Sequence, residues 1–202
     1  MKTLLKLSAR IDGLNHRVGH LVMWLVLAAV LISAGNAVVR KAFGTSSNAM
    51  LEVQWYLFAA VFMLGAAYAF LENAHVRIDA ISSRFSAKTR NIIDILGILI
   101  FLLPFCYLLL TLSWPLVVQA FQSGEMSQNA GGLIRWPVYA ILPIGIALLA
   151  LQSLSELVKR IAFLTGAGPD SLAHGGHSAE EEELAREIAE YEAMEQQKQE
   201  PR

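Results

Sequence analysis

The sequence predicts an all-α integral membrane protein with four transmembrane helices, and three observations carry that expectation. Of the 202 residues, 55% are hydrophobic and only 16% are charged, whereas soluble domains carry about a quarter charged residues. Mean hydropathy is +0.47. The apolar residues gather in four stretches, Val18–Val39, Met50–Leu71, Ile92–Val118 and Trp136–Val158. Each reaches the roughly 20 helical residues needed to cross a hydrocarbon core about 30 Å thick. One large soluble core would not require four such runs with almost no interior charge.

Charge orients the spans. The N-terminal arm holds Lys2, Lys6, Arg10 and Arg17, the loop after the second stretch holds Arg77, Arg84, Lys88 and Arg90, and Lys159 and Arg160 follow the fourth. The opposite side offers Arg40, Lys41 and Arg135. Ten basic residues against three place both termini and the middle loop in the cytoplasm under the positive-inside rule. The net charge of −1 conceals this asymmetry. Cys106, the one cysteine, excludes an intrachain disulfide and is silent on redox compartment. The apolar run from Leu21 is too long for the core of a cleaved signal peptide, so the first span is expected to be retained.

The elements follow in order. Residues 1–17 place Leu4, Leu7, Ile11, Leu14 and Val18 at steps of three and four, with the basic residues largely opposite, the pattern of an amphipathic helix lying in the headgroup plane; the alternative is a first span that begins early. Span one, 18–39, carries Ala29, Ser33 and Ala37 four apart, and span two, 50–71, carries Gly65 and Ala69; small residues at this spacing suggest a close packing face in lipid. Span three, 92–118, contains Pro104 and Pro115, so a long, kinked or tilted helix is expected. The connection Gln122–Arg135, rich in Gly, Ser and Asn, reads as an outer loop. Span four, 136–158, opens on Trp136 and Pro137, suited to the interface and to a first helical turn; Pro143 lies further in. Residues 165–202 read as a flexible linker followed by an acidic cytoplasmic helix with an apolar stripe of Leu184, Ile188, Tyr191 and Met194. That helix folds against a partner or frays as a solubilising tail.

Candidate chemistry is sparse. Glu72 and His75 stand three apart, as in carboxylate-bridged metal sites, but no other span supplies the second such pair those sites need. His16 and His20 share a helix face, and His174 and His177 flank two glycines in the linker; a metal site needs a full ligand set and a supporting shell, so interfacial or solvated histidines are expected. No nucleophile–base pair and no phosphate-cradling loop is visible, so neither an enzyme nor a cofactor is expected. The acids Glu52, Asp94 and Glu156 lie near span ends, and mid-span polar residues are limited to Ser33, Asn36, Thr111 and Ser113. An ion-coupled carrier needs ionisable or coordinating groups deep in the membrane. A scaffold for another membrane protein fits better than an autonomous exporter or a haem-binding redox subunit using His16 and His20.

The run LENAHVRIDA, residues 71–80, follows the second span directly. Arg77 can reach a lipid phosphate or a carboxylate, Asp79 can pair with it or cap a following helix, and His75 sits at headgroup depth. A hydrogen-bonded turn and a direct functional role are both open. Phospholipid is the expected partner of these basic edges; nucleic acid is not.

The segment LEVQWYLFAAVFMLGAAYAFLENAHVRIDAISSRFSAKTRNIIDILG, residues 51–97, resembles the small membrane subunit of TRAP transporters, the DctQ-like family. The resemblance rests on Arg40 after span one, Glu52 opening span two, the run EVQWYLF with Trp55, and His75-Val76-Arg77-Ile78-Asp79 after it, and it covers about residues 10–166. It implies a three-part, sodium-driven uptake system for organic acids or similar small solutes. In such a system a periplasmic binding protein captures the solute and a large membrane subunit carries it inward. The small subunit is the scaffold that packs beside the large one and helps dock the binding protein. It further implies that Arg40, Lys41 and Glu52 lie near subunit or binding-protein contacts, and that His75, Arg77 and Asp79 fix a cytoplasmic turn.

Overall fold

The computed structural model of the protein describes residues 1–44, 47–74, 85–170 and residue 188. His75, Arg77 and Asp79, and all of the C-terminal tail beyond Asp170 except Ile188, lie outside these residues. Helix α1 spans Lys2–Phe43, α2 Asn48–Leu71, α3 Ala87–Gly97, α4 Leu103–Ser123 and α5 Trp136–Leu164. A π-helical turn, Ile98–Leu102, joins α3 to α4, so Ala87–Ser123 forms one rod. Among the described residues there are thus four helices long and apolar enough to cross a membrane. No strand occurs among the described residues; Met126 and Ile134 form an isolated antiparallel bridge.

Local chemistry sets the ends. The α1 helix stops at Gly44, whose φ of 63° places it in the left-handed region and whose N–H donates to the Arg40 carbonyl at 3.1 Å. Arg40 and Lys41 sit in that last turn, where cations offset the helix dipole. Ser86 caps α3 by accepting from the Thr89 N–H at 3.3 Å. Pro137 occupies the first turn of α5, where no N–H is required. The kink expected at Pro104 takes a specific form. Proline lacks an N–H and its ring crowds the carbonyl four residues back. The helix answers with the π turn just before it, in which Leu103 N–H donates to the Ile98 carbonyl. Helix α4 continues through Pro115, and α5 through Pro143.

Helix α5 is the hub. It packs on α1, on α2 and on the α3–α4 rod, while α1 also packs on α2 and the α3–α4 rod leans chiefly on α5. The buried positions advance by sevens: Ser8, Asn15, Val22, Ala29 and Asn36 in α1, Ala60 and Ala67 in α2, Cys106, Ser113 and Ala120 in α4, Ile146, Ser153 and Arg160 in α5. A seven-residue step keeps one face turned to its neighbour under left-handed crossing. Most of these residues are small, which lets backbones approach without help from a hydrophobic driving force. One close backbone approach is at Gly145, where an added Cβ would lie 2.5 Å from the Met63 carbonyl oxygen of α2. This alters the expected face of span one: Ala29 is buried, but Ser33 and Ala37, four and eight residues on, are exposed, because contact follows the heptad rather than the four-residue step. Gly65 and Ala69 are half-buried, and a Cβ on Gly65 would meet Val22 at 3.7 Å.

The division expected at residue 17 is not a break in secondary structure: α1 is one helix of 42 residues, about 63 Å at 1.5 Å per residue and roughly twice the hydrocarbon thickness. Along its first turns Leu4, Leu7 and Leu14 are exposed, while Ser8 and Asn15 face α5.

Candidate functional site

Two polar layers clasp the helices, one at each end of α5. At the Trp136 end, Glu52 in the second turn of α2 is only 3% exposed. Its carboxylate accepts from the Ser127 hydroxyl, from Asn129 Nδ2 at 2.7 Å and from the Leu133 N–H at 2.7 Å. All three donors belong to the connection between α4 and α5. That connection closes on itself through Ser127 N–H to Leu133 O and Arg135 N–H to Glu125 O, both 2.9 Å. It is held from below by Tyr56 Oη donating to Ile134 O and by Asn48 Nδ2 donating to Ala130 O, both 3.0 Å. Arg135 Nη1 reaches Glu125 Oε1 at 3.5 Å and Tyr139 Oη at 3.2 Å, and Tyr139 Oη donates to Glu125 at 3.3 Å. The Tyr139 hydrogen bond raises the Arg135 pKa above its ordinary value. A cleft of about 240 Å³ opens here, bordered by Glu52, Trp55, Tyr56, Arg135 and Tyr139.

At the other end a denser network joins α1, α3 and α5. Glu156 of α5 pairs with Arg160 through one carboxylate oxygen and with Lys159 through the other. Arg160 Nη2 also reaches Asp94 Oδ2 of α3 at 3.1 Å, and Lys159 Nζ reaches Asp12 Oδ2 of α1 at 3.1 Å. Gln152 sits at the centre. Its Nε2 donates to Asp12 at 2.9 Å and to Glu156 at 3.3 Å, and its Oε1 accepts from Asn15 Nδ2 at 2.7 Å. The Ser8 and Ser155 hydroxyls meet at 2.6 Å, and Ser155 donates to Asp12 at 2.7 Å. Asn91 Nδ2 donates to Asp170 Oδ1 at 3.0 Å, tying the segment after α5 back to α3. Burial of Glu156 and Arg160, each 1% exposed, is tolerable only because both are paired and hydrogen-bonded.

The two layers are one bilayer apart. Arg135 and Glu156 mark their levels on the helix, separated by about 31 Å at 1.5 Å per residue, close to the hydrocarbon thickness. Between them three hydroxyls bond back to their own helix: Thr111 donates to Tyr107 O and Leu108 O, Ser113 to Leu110 O, and Ser153 to Leu149 O.

Of the residues singled out in the sequence, Glu52 is a buried keystone and Trp55, 62% exposed, borders the cleft beside it. Arg40 is exposed, and the hydrogen bonds to Glu52 come from the α4–α5 connection, not from it. The His16 and His20 rings lie 4.6 Å apart on an exposed side of α1, with His20 Nδ1 2.9 Å from the His16 carbonyl. No cluster of three or more His, Cys, Asp or Glu side chains suited to a metal occurs among the described residues. Sequence reasoning noted Asp94, Glu156, Lys159 and Arg160 singly and missed that they meet. The available signal was the polar face Gln152, Ser155, Glu156, Lys159 and Arg160 at steps of three and four, matched by Ser8, Asp12 and Asn15 on the arm.

Four apolar helices among the described residues, joined by a polar layer at each end of α5, define a multi-pass helical membrane protein. A family model described as "Tripartite ATP-independent periplasmic transporters, DctQ component" matches residues 29–163, more than half of the chain. The chain belongs to that family and is the small membrane subunit of a bacterial TRAP transporter. It is 27% identical over 193 residues, covering 84% of this chain and 81% of the relative, to the C4-dicarboxylate TRAP transporter small permease protein DctQ of Vibrio cholerae serotype O1. No solved structure matches it.

Proposed function

We propose that this subunit is a non-catalytic scaffold that packs against the large transport subunit of a sodium-driven uptake system and helps dock a periplasmic binding protein. One observation carries the reading. The span-end acids Glu52, Asp94 and Glu156 are engaged in two layers that stitch helix to helix and helix to loop, a bilayer apart, so they serve architecture and not passage of a solute. Both termini and the loop between α2 and α3 lie in the cytoplasm in this reading, following the basic residues. The Glu52 layer then faces the periplasm, where Trp55, Arg40 and Lys41 are placed for subunit or binding-protein contacts. His75, Arg77 and Asp79 hold the cytoplasmic turn. Small organic acids are the substrate class, in keeping with the C4-dicarboxylate in the name of the Vibrio cholerae relative.

Co-purification tests this. An affinity-tagged copy extracted from its native membrane is expected to bring down a large multi-span partner, and liposomes holding this chain alone are expected to show no solute uptake. A chain that remains alone in mild detergent, or that transports by itself, would overturn the proposal.

A further inference from the structure

We propose that the acidic C-terminal tail docks on the basic arm of α1, as an amphipathic helix laid along an arm that projects from the membrane. The span Val18–Val39 is 22 residues, about 33 Å of helix and enough to cross the hydrocarbon. The same helix begins at Lys2, so about 24 Å of it runs on past a headgroup layer only about 5–8 Å deep. The arm is held from lying flat on that layer, because Ser8, Asp12 and Asn15 are bound to Ser155, Lys159 and Gln152 of α5. These three residues take one side of the arm. On the other side Leu7, Arg10, Leu14 and Arg17 follow at steps of three and four, all exposed, with Lys6 beside them. Among the described residues Lys6, Arg10 and Arg17 make no ion pair. Leu7 and Leu14 are 54% and 44% exposed. Leucine alternating with arginine outside the hydrocarbon calls for a partner that is apolar and acidic together.

The tail has that chemistry. Residues 180–195 hold eight glutamates against one basic residue, Arg186. Glu180, Leu184, Glu187, Tyr191 and Glu195 follow at steps of three and four, with Ile188 beside them, so at helical spacing acids and apolar groups share one face. Ile188, the one described residue beyond Asp170, is 52% exposed. The tail also starts in the right place. Gly168, Pro169 and Asp170 border a cleft of about 350 Å³ together with Leu5, Ser8, Ala9 and Asp12 of the arm, and Asn91 of α3 donates to Asp170 there. The nine residues 171–179 reach about 30 Å when extended, more than the length of the arm. A tethered partner is present at high effective concentration, and a helix as short as the tail is marginal in water until it packs on something. Anionic headgroups would meet the charge of the arm but not Leu7, which stands beyond them. Arm and tail root share one side of the bundle through these contacts, whichever face of the membrane that is.

The full chain in nanodiscs of phosphatidylcholine tests this, because that surface has no net charge to compete for the arm. In the unsubstituted chain the amides of residues 184–194 are expected to exchange hydrogen at least tenfold more slowly at low salt than at high salt, where the charges are screened. Fast exchange at both salts overturns the proposal, and so does exchange slowed only when phosphatidylglycerol is added, which would assign the tail to the lipid surface. Cross-linking then locates the contact. In a Cys106→Ser background, Leu7→Cys or Leu14→Cys is combined with Ile188→Cys, on the apolar face of the tail, or with Ala193→Cys, on its opposite side, and a short bismaleimide is added. Cross-linking within one chain is expected to be at least fivefold greater from position 188 than from 193 for one of the two arm sites. It is expected to fall at least fivefold in Lys6→Glu/Arg10→Glu and to return when Glu180→Lys/Glu187→Lys is added to that pair. Equal yields from 188 and 193, cross-links only between chains, or yields that ignore both charge reversals overturn the proposal. The exchange measurement on the unsubstituted chain decides the matter even where a variant fails to insert.

Discussion

A carboxylate at the end of a membrane helix needs donors, and Glu52 takes its described ones from a connection some 75 to 81 positions away in sequence. Removing the carboxylate with Glu52→Ala leaves those donors facing an empty site, so the connection loosens. Hydrogen exchange is expected to accelerate at the Leu133 amide in Glu52→Ala, with Glu52→Gln intermediate because it keeps one acceptor oxygen; unchanged exchange in both would count against the keystone role. At the other end, Arg160→Ala removes the buried cation that Glu156 and Asp94 share. Breaking a buried pair from one side costs about 3–5 kcal/mol, whereas replacing both partners with groups of similar volume is often far milder. The double variant Glu156→Gln/Arg160→Met is therefore expected to unfold in mixed micelles at a higher denaturant concentration than Arg160→Ala alone.

The helices are held by close approach along heptads, and the glycines separate packing from propensity. At Gly145 a methyl group would collide with the Met63 backbone of α2, which cannot rotate away. Gly145→Ala is expected to destabilise by about 1–3 kcal/mol through overpacking. At Gly13 nothing lies within 4 Å, so Gly13→Ala is expected to gain about 0.5–1 kcal/mol from backbone entropy alone. Equilibrium unfolding of the two variants side by side checks this; equal effects would mean that α2 and α5 do not pack as tightly as described. The π turn belongs to the same scale. It is the local answer to Pro104, with the Leu103 N–H bonded to the Ile98 carbonyl.

The whole molecule is a set of rods held at two levels, with α5 touching all the others and the α3–α4 rod standing to one side. The Arg135 and Glu156 levels bracket one bilayer, and the sidedness proposed above follows from where the basic residues gather. Cysteine labelling checks that sidedness in a Cys106→Ser background. An impermeant maleimide applied to spheroplasts is expected to label Ala130→Cys, and to label Thr3→Cys only after the membrane is opened. The reverse pattern would invert the orientation and place the Glu52 cleft in the cytoplasm.

The sequence by itself determined that the protein is helical and membrane-spanning, how many apolar helices it has, and its family, because hydrophobic run length and local motifs are properties of contiguous residues. It also singled out Glu52, whose place at the head of an apolar run is visible in one dimension. Only the tertiary structure decided what Glu52 meets. It also showed that Asp12, Asp94, Gln152, Glu156, Lys159 and Arg160 form one network, and that buried faces step by seven where Ala29, Ser33 and Ala37 had suggested four. The physical reason is that lipid accepts an apolar helix in any rotation about its axis, so hydropathy sets how long each rod is but not which side it turns inward. That side is chosen by backbone approach and by polar groups that must find partners across helices far apart in the chain.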